Sequence, residues 1–153
     1  MIISGALASV GAEGGKMFES RFRNETASIW MDDARCLVRL RRSSHRVERP
    51  DEMATAMQTL IDELDRLVPL SVRGKWGLLQ DMRDAPLLTD PALEQAVARH
   101  AGRLRQGWLR LAVLVRTPVG KLQVRRTTTN EQAAGRDVFD DEIEALNYLT
   151  DRA

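Results

Sequence analysis

Two period-two runs open the ordered part of the pattern. Ala27, Ile29 and Met31 alternate with Thr26, Ser28 and Trp30, and Cys36, Val38 and Leu40 alternate with Arg35, Leu37, Arg39 and Arg41. Asp32-Asp33 between them is turn chemistry, so Thr26–Met31 and Arg35–Arg41 predict an antiparallel hairpin. Arg42–Arg49 is a polar loop. From Pro50 the period changes to that of a helix, with Met53, Met57, Leu60, Ile61, Leu64 and Leu67 on one stripe and Pro69 just past the end. Arg73-Gly74-Lys75 is a turn. Trp76–Gln80 is nearly continuous apolar, as a strand covered on both faces should be.

The alternation then repeats. Thr89-Asp90-Pro91 starts a helix, with Thr89 read as a capping residue, and Leu93, Ala96, Val97, His100, Ala101 and Leu104 form its inner stripe before a stop at Gly107. Leu109–Val115 is a second buried strand. Thr117-Pro118 starts another helix, with Val119 and Leu122 inward. Val138-Phe139 is a short strand. Asp140 caps a last helix with Ile143, Leu146 and Leu149 as core contacts, and Asp141, Glu142 and Glu144 crowd the positive end of its dipole. The order β-β-α-β-α-β-α-β-α predicts an α/β fold. Its mixed sheet has about five strands, an N-terminal hairpin followed by parallel strands, under about four helices.

Length and composition sharpen this. The 153 residues make one ordinary domain, 43% hydrophobic and 29% charged. Residues 1–16 are Gly/Ala-rich and read as a disordered leader. A cleaved signal is the weaker alternative, since no Lys or Arg precedes the apolar run. Residues 17–153 are then the single domain, opening on MFESRF. A net charge of +1 gives no global pull toward nucleic acid or an anionic membrane, and 5% aromatics offer few stacking platforms, so nucleic acid is disfavoured. No apolar run is long enough for a membrane span. The lone Cys36 excludes an intrachain disulfide, favours a cytoplasmic location, and falls on a strand, where a thiol packs as a small hydrophobe.

The runs WGLLQDMRDAP, DPALEQAVARH, LRLAVLVRTPVGKLQ and VFDDEIEALNYL, between Trp76 and Leu149, resemble bacterial proteins with the anti-sigma-factor-antagonist fold, the SpoIIAA-like or STAS/SEC14-like group. The strand ending in Asp81-Met82-Arg83 and the terminal Phe139-Asp140-Asp141-Glu142 carry most of it, and the likeness spans roughly Met17 to Leu149. The resemblance implies a mixed sheet packed by helices and a role in binding rather than catalysis. Phosphorylatable members of that fold carry a serine after the central strand. The turn here, Asp81-Met82-Arg83-Asp84-Ala85-Pro86, has no hydroxyl, so the phospho-switch is not carried over.

Candidate chemistry sits where the two buried strands end. A helical crossover makes them parallel, so Asp81, Arg83 and Asp84 after the first and Arg116, Thr117 and Lys121 after the second open from one edge, where ligands of α/β sheets bind. The helix start at Thr117 offers backbone N–H groups to an anion. The plainer alternative is that Arg83 pairs with Asp81 or Asp84 and orders the loop. His45 and His100 lack flanking ligands or nucleophiles, which argues against a metal site or a triad and for a solvated His45 and a packed His100. Nothing matches a phosphate loop, and no cofactor is expected. Charge is uneven. Gln95–Asn130 holds no acid but contains Arg99, Arg103, Arg105, Arg110, Arg116, Lys121, Arg125 and Arg126, and a second basic group is Arg35, Arg39, Arg41, Arg42, Arg46 and Arg49. The plainer reading of that asymmetry is solvated helix faces, and the functional one is an acidic protein partner or self-association. The expectation is a non-enzymatic regulatory or scaffolding module that binds a protein partner or small anionic ligand at the strand C-terminal edge. The alternative is a SEC14-like carrier of a small apolar or amphipathic ligand, supported by Met53 and Met57.

Overall fold

In a computed structural model, the chain is described over residues 18–127 and 135–151, with the backbone alone over 123–127. Strands β1 (Glu19–Arg23), β2 (Ala27–Asp32) and β3 (Leu37–Arg42) form an antiparallel meander. Strands β4 (Gly77–Asp81), β5 (Arg110–Leu114) and β6 (Arg136–Phe139) extend it, each parallel to the strand before, β3 included. The sheet runs β1-β2-β3-β4-β5-β6, so every strand pairs with its neighbour in sequence. The helices are α1 (Pro50–Leu67), α2 (Leu70–Arg73), α3 (Pro91–Leu104), α4 (Pro118–Thr127) and α5 (Glu142–Thr150). The α/β fold with a hairpin followed by parallel strands is therefore as expected, with one strand and one short helix more.

The extra strand is β1. Its pairing with β2 shifts register between Ser20 and Phe22, and it is mostly exposed, so it shows no clean alternation in the sequence. The leader, residues 1–16, lies outside the described residues.

Strand parity sorts the core into two layers. Val38 and Leu40 of β3, Leu78 of β4, and Leu111 and Val113 of β5 face α1 and α3, whose Met53, Met57, Leu60, Leu64, Leu93 and Leu104 cover them. Leu37, Leu79, Ala112 and Leu114 point the other way, onto Phe18 and onto Ala145 and Leu149 of α5. At Gly77 a Cβ would lie 3.1 Å from Leu37 Cδ2 and 3.3 Å from Leu149 Cδ2, so glycine is what lets α5 settle directly on β4. Behind α1, the buried Arg73 guanidinium donates to Val68 O, Gln106 O and Asp65 Oδ1 and stacks 4.6 Å from the Trp108 ring. It fastens the corner where α1, α2 and the end of α3 meet. Gly107, at φ +88°, turns the chain out of that corner, a conformation that strains any residue with a side chain.

Several sequence expectations are corrected. Cys36 is not a buried strand residue. It sits half-buried in the β2–β3 turn at φ 56°, and the strand begins only at Leu37. The turn is closed instead by Asp32, whose carboxylate accepts from Arg35 N and Nε. Val119 and Leu122 of α4 and Ile143 of α5 are exposed rather than inward, because α4 lies against the narrow edge strand β6 and α5 buries its Ala145–Leu149 face. Leu109 is also largely exposed, one residue before β5. Asp90, not Thr89, caps α3 by accepting from Ala92 N, and Asp141, not Asp140, caps α5 by accepting from Glu144 N. His100 is half-buried, with Nδ1 2.8 Å from Ala96 O.

Candidate functional site

The carboxyl ends of β3, β4 and β5 lie side by side, because the three strands are parallel and in register: Arg41 is opposite Asp81, and Asp81 opposite Leu114. The loops after β4 and β5 do converge there, joined by Arg116, whose Nε donates to Arg83 O (3.0 Å) and whose Nη2 meets Asp84 Oδ1 (2.8 Å). Each predicted residue now has a place, and most of them are engaged with one another.

On the α5 face, two arginines and two carboxylates form a closed ring. Asp81, 1% exposed at its side chain, accepts from Arg39 Nη2 (2.9 Å), from Arg83 Nη2 (2.9 Å) and Nε (3.0 Å), and from Arg83 N (3.2 Å). Glu142, in the first turn of α5, takes Arg39 Nη1 (2.9 Å) and Arg83 Nη2 (2.9 Å). Parity puts these groups together: Arg39 follows Leu37, and Asp81 follows Leu79, on the face that α5 covers. Burial pushes the Asp81 carboxyl up, but the Arg83 hydrogen bonds and the Arg39 charge overcome it and hold the group below the usual carboxylate range. The Arg39 hydrogen bond, working against burial, does the same for Glu142. The Arg83 guanidinium is held charged above its ordinary range, chiefly by its bonds to Asp81. At the exposed rim, Asp84 bridges Arg41 (2.8 Å) and Arg116, and Arg41 foremost holds its carboxyl low. Thr117 Oγ1 accepts from Gly120 N (3.0 Å), capping α4, and Lys121 is half-buried one turn on.

The ring has a pH signature. Asp81 and Glu142 titrate lower in the folded chain than in the unfolded one, so their contribution is complete above the ordinary carboxylate range and is lost as pH falls through the folded values. The urea midpoint should stay level from neutral pH down to about 5 and drop below about 4, and Glu142→Gln should flatten that acid limb. A midpoint that already falls between pH 7 and 6 would trace the acid sensitivity to other groups.

The opposite face of the same edge is different. Arg42 ends β3 with the parity of Val38 and Leu40, so its side chain enters the α1–α3 layer and is 7% exposed. Its Nε is buried with no hydrogen-bond partner, and among the described residues no carboxylate reaches the guanidinium, which burial pushes below its ordinary pKa. Beside it, a cavity of about 220 Å³ opens between the loop after β3 and the loop after β4, walled by Met53, Met82, Leu88, Leu93 and Val97. A smaller void of about 60 Å³ shares Arg42, Met82 and Val97 and reaches Met57, Leu60 and Leu104. The sequence reading placed Arg42 in a polar loop. The signal that finds it is the alternation itself, carried two residues past Leu40.

The basic groups are largely paired within the chain: Arg35 with Asp32, Arg49 with Asp51, Arg103 with Asp65, and Arg39, Arg41 and Arg116 as above. The side chains of Arg125 and Arg126 lie outside the described residues. His45 lies 3.5 Å from Glu25 at the surface. Among the described residues no three His, Cys, Asp or Glu side chains converge as metal ligands, and no helix is long and apolar enough to cross a membrane. No family model, no curated protein and no solved structure matches the chain.

Proposed function

We propose that this chain is a non-enzymatic binding module, regulatory or scaffolding in kind, that takes an anionic group at the carboxyl edge of its parallel strands. The observation that carries this reading is Arg42, a buried side chain whose Nε has no hydrogen-bond partner and whose guanidinium no carboxylate of the described residues reaches, beside an open cavity at that edge. Such a group is costly to the fold unless something pairs with it. The carboxylates nearby, Asp81, Asp84 and Glu142, are ionised and committed to arginines, which suits holding a shape better than moving protons. Arg83, Asp84, Arg116, Thr117 and Lys121 form the outer rim, available to a protein partner. A SEC14-like carrier of an amphipathic ligand is the second reading, favoured by the apolar walls of the cavity.

Titration of the full chain with acetate, followed by backbone amide shifts, tests the anion site. Saturable shifts at Arg42, Arg46 and Met82–Leu88 support it. Shifts confined to the opposite edge, around Trp76 and Leu109, would count against it. A companion measurement addresses why Arg42 is there. Arg42→Met should leave the urea midpoint unchanged or raise it, because it removes an unpaired buried charge. A clear loss of stability would make Arg42 a structural residue.

A further inference from the structure

The cavity at Arg42 has more shape than an anion alone needs. Its lining is largely apolar and adaptable, with Met53, Met82, Leu88, Leu93 and Val97 around the open space. The smaller void past Arg42 leads on toward Met57 and Leu60. One cation sits at the junction of the two spaces, since Arg42 lines both. The mouth carries His45 and Arg46, but also Glu48 and Asp90. Glu48 and Asp90 there oppose a second negative charge on the ligand, so a monoanion fits better than a dianion. A planar guanidinium fork pairs with a carboxylate through two parallel hydrogen bonds. Size gives the tail. An apolar cavity of about 150 Å³ holds benzene, so about 220 Å³ accommodates roughly eight carbons.

We propose that the pocket binds an amphiphilic monocarboxylate with an apolar tail of medium length, its carboxylate on Arg42 and its tail among Met53, Met82, Leu93 and Val97. This rests on the anion-binding reading above and names the ligand class for that same site. The ligand's carboxylate supplies the counter-charge that the fold withholds from Arg42, and its tail fills space that the side chains leave open. Ligand and pocket therefore match at both ends.

Calorimetric and amide-shift titrations of the full chain with acetate, octanoate, octanol and octyl phosphate test it. Octanoate should bind at least about a hundredfold tighter than acetate, because its added methylenes are buried. Its shifts should include Met53, Met82 and Val97. Arg42→Met should abolish the advantage of octanoate over octanol while the melting curve stays cooperative. Val97→Trp, which fills the pocket and leaves Arg42 in place, should weaken octanoate and spare acetate. Acetate and octanoate binding equally at Arg42 would overturn the amphiphile and leave the anion site standing. Octanol matching octanoate would remove Arg42 from recognition, and octyl phosphate binding more tightly would overturn the carboxylate headgroup. No saturable binding by acetate or octanoate would sink both readings.

Discussion

Asp81→Ala is expected to cost roughly 3–5 kcal/mol, seen as a large drop in the urea midpoint at neutral pH. The carboxylate is 1% exposed and accepts from Arg39, from both sides of the Arg83 fork and from the Arg83 amide. Removing it leaves two guanidiniums facing each other near a buried strand end, with only Glu142 between them. The loss is therefore more than the hydrogen bonds, because it includes the desolvation of charges that water can no longer reach. A second variant separates pairing from packing. Arg39→Met together with Asp81→Leu, which removes one positive and one negative member, should recover much of the loss. If Asp81→Ala costs under about 1 kcal/mol, in the range of an exposed pair, the ring is open to solvent and the carboxyl edge is looser than described.

Leu114→Ala is the second large effect, roughly 2–5 kcal/mol. Leu114 ends β5 and is fully buried in the smaller core layer with Leu37, Leu79, Ala112, Ala145 and Leu149. That layer has few members and one helix above it, so a missing isobutyl group leaves a space that its neighbours close poorly. Val119→Ala on α4, 64% exposed, is the control and should be close to neutral. Equal losses at the two positions would mean that α4 is covered in solution.

Much of the fold was legible because strand and helix periods differ. The hairpin, the two apolar strands and the Pro-started helices at Pro50, Pro91 and Pro118 each follow from local pattern. What the pattern could not show was set by tertiary context. Glu19–Arg23 pairs as an edge strand through a register shift, so its alternation is broken. Val119 and Ile143 sit at helical spacing, yet their helices meet a narrow edge and a glycine-flattened strand, and they stay outside. At the carboxyl edge, the sequence pattern put Asp81, Arg83, Asp84 and Arg116 together, and the structure brings them into contact. The sequence also offered the pairing of Arg83 with Asp81, which the structure contains, but not the long-range partners of that pair, since Arg39 and Glu142 lie 103 positions apart. Arg42 was hidden for a different reason. A charged residue after two basic neighbours reads as surface, although its parity places it inside.

The nearest-neighbour strand order bears on how the chain is made. Each strand of this sheet docks on the one synthesised just before it, so the sheet can grow outward from its N-terminal edge as the polypeptide leaves the ribosome, without waiting for a distant partner. The layer over Leu79 and Leu114 is the exception, because its cover, Ala145 and Leu149, arrives last. Until then the nascent sheet shows an apolar face to solvent. That interval is when a chaperone would find this chain, and slowing translation after β5 should lengthen it.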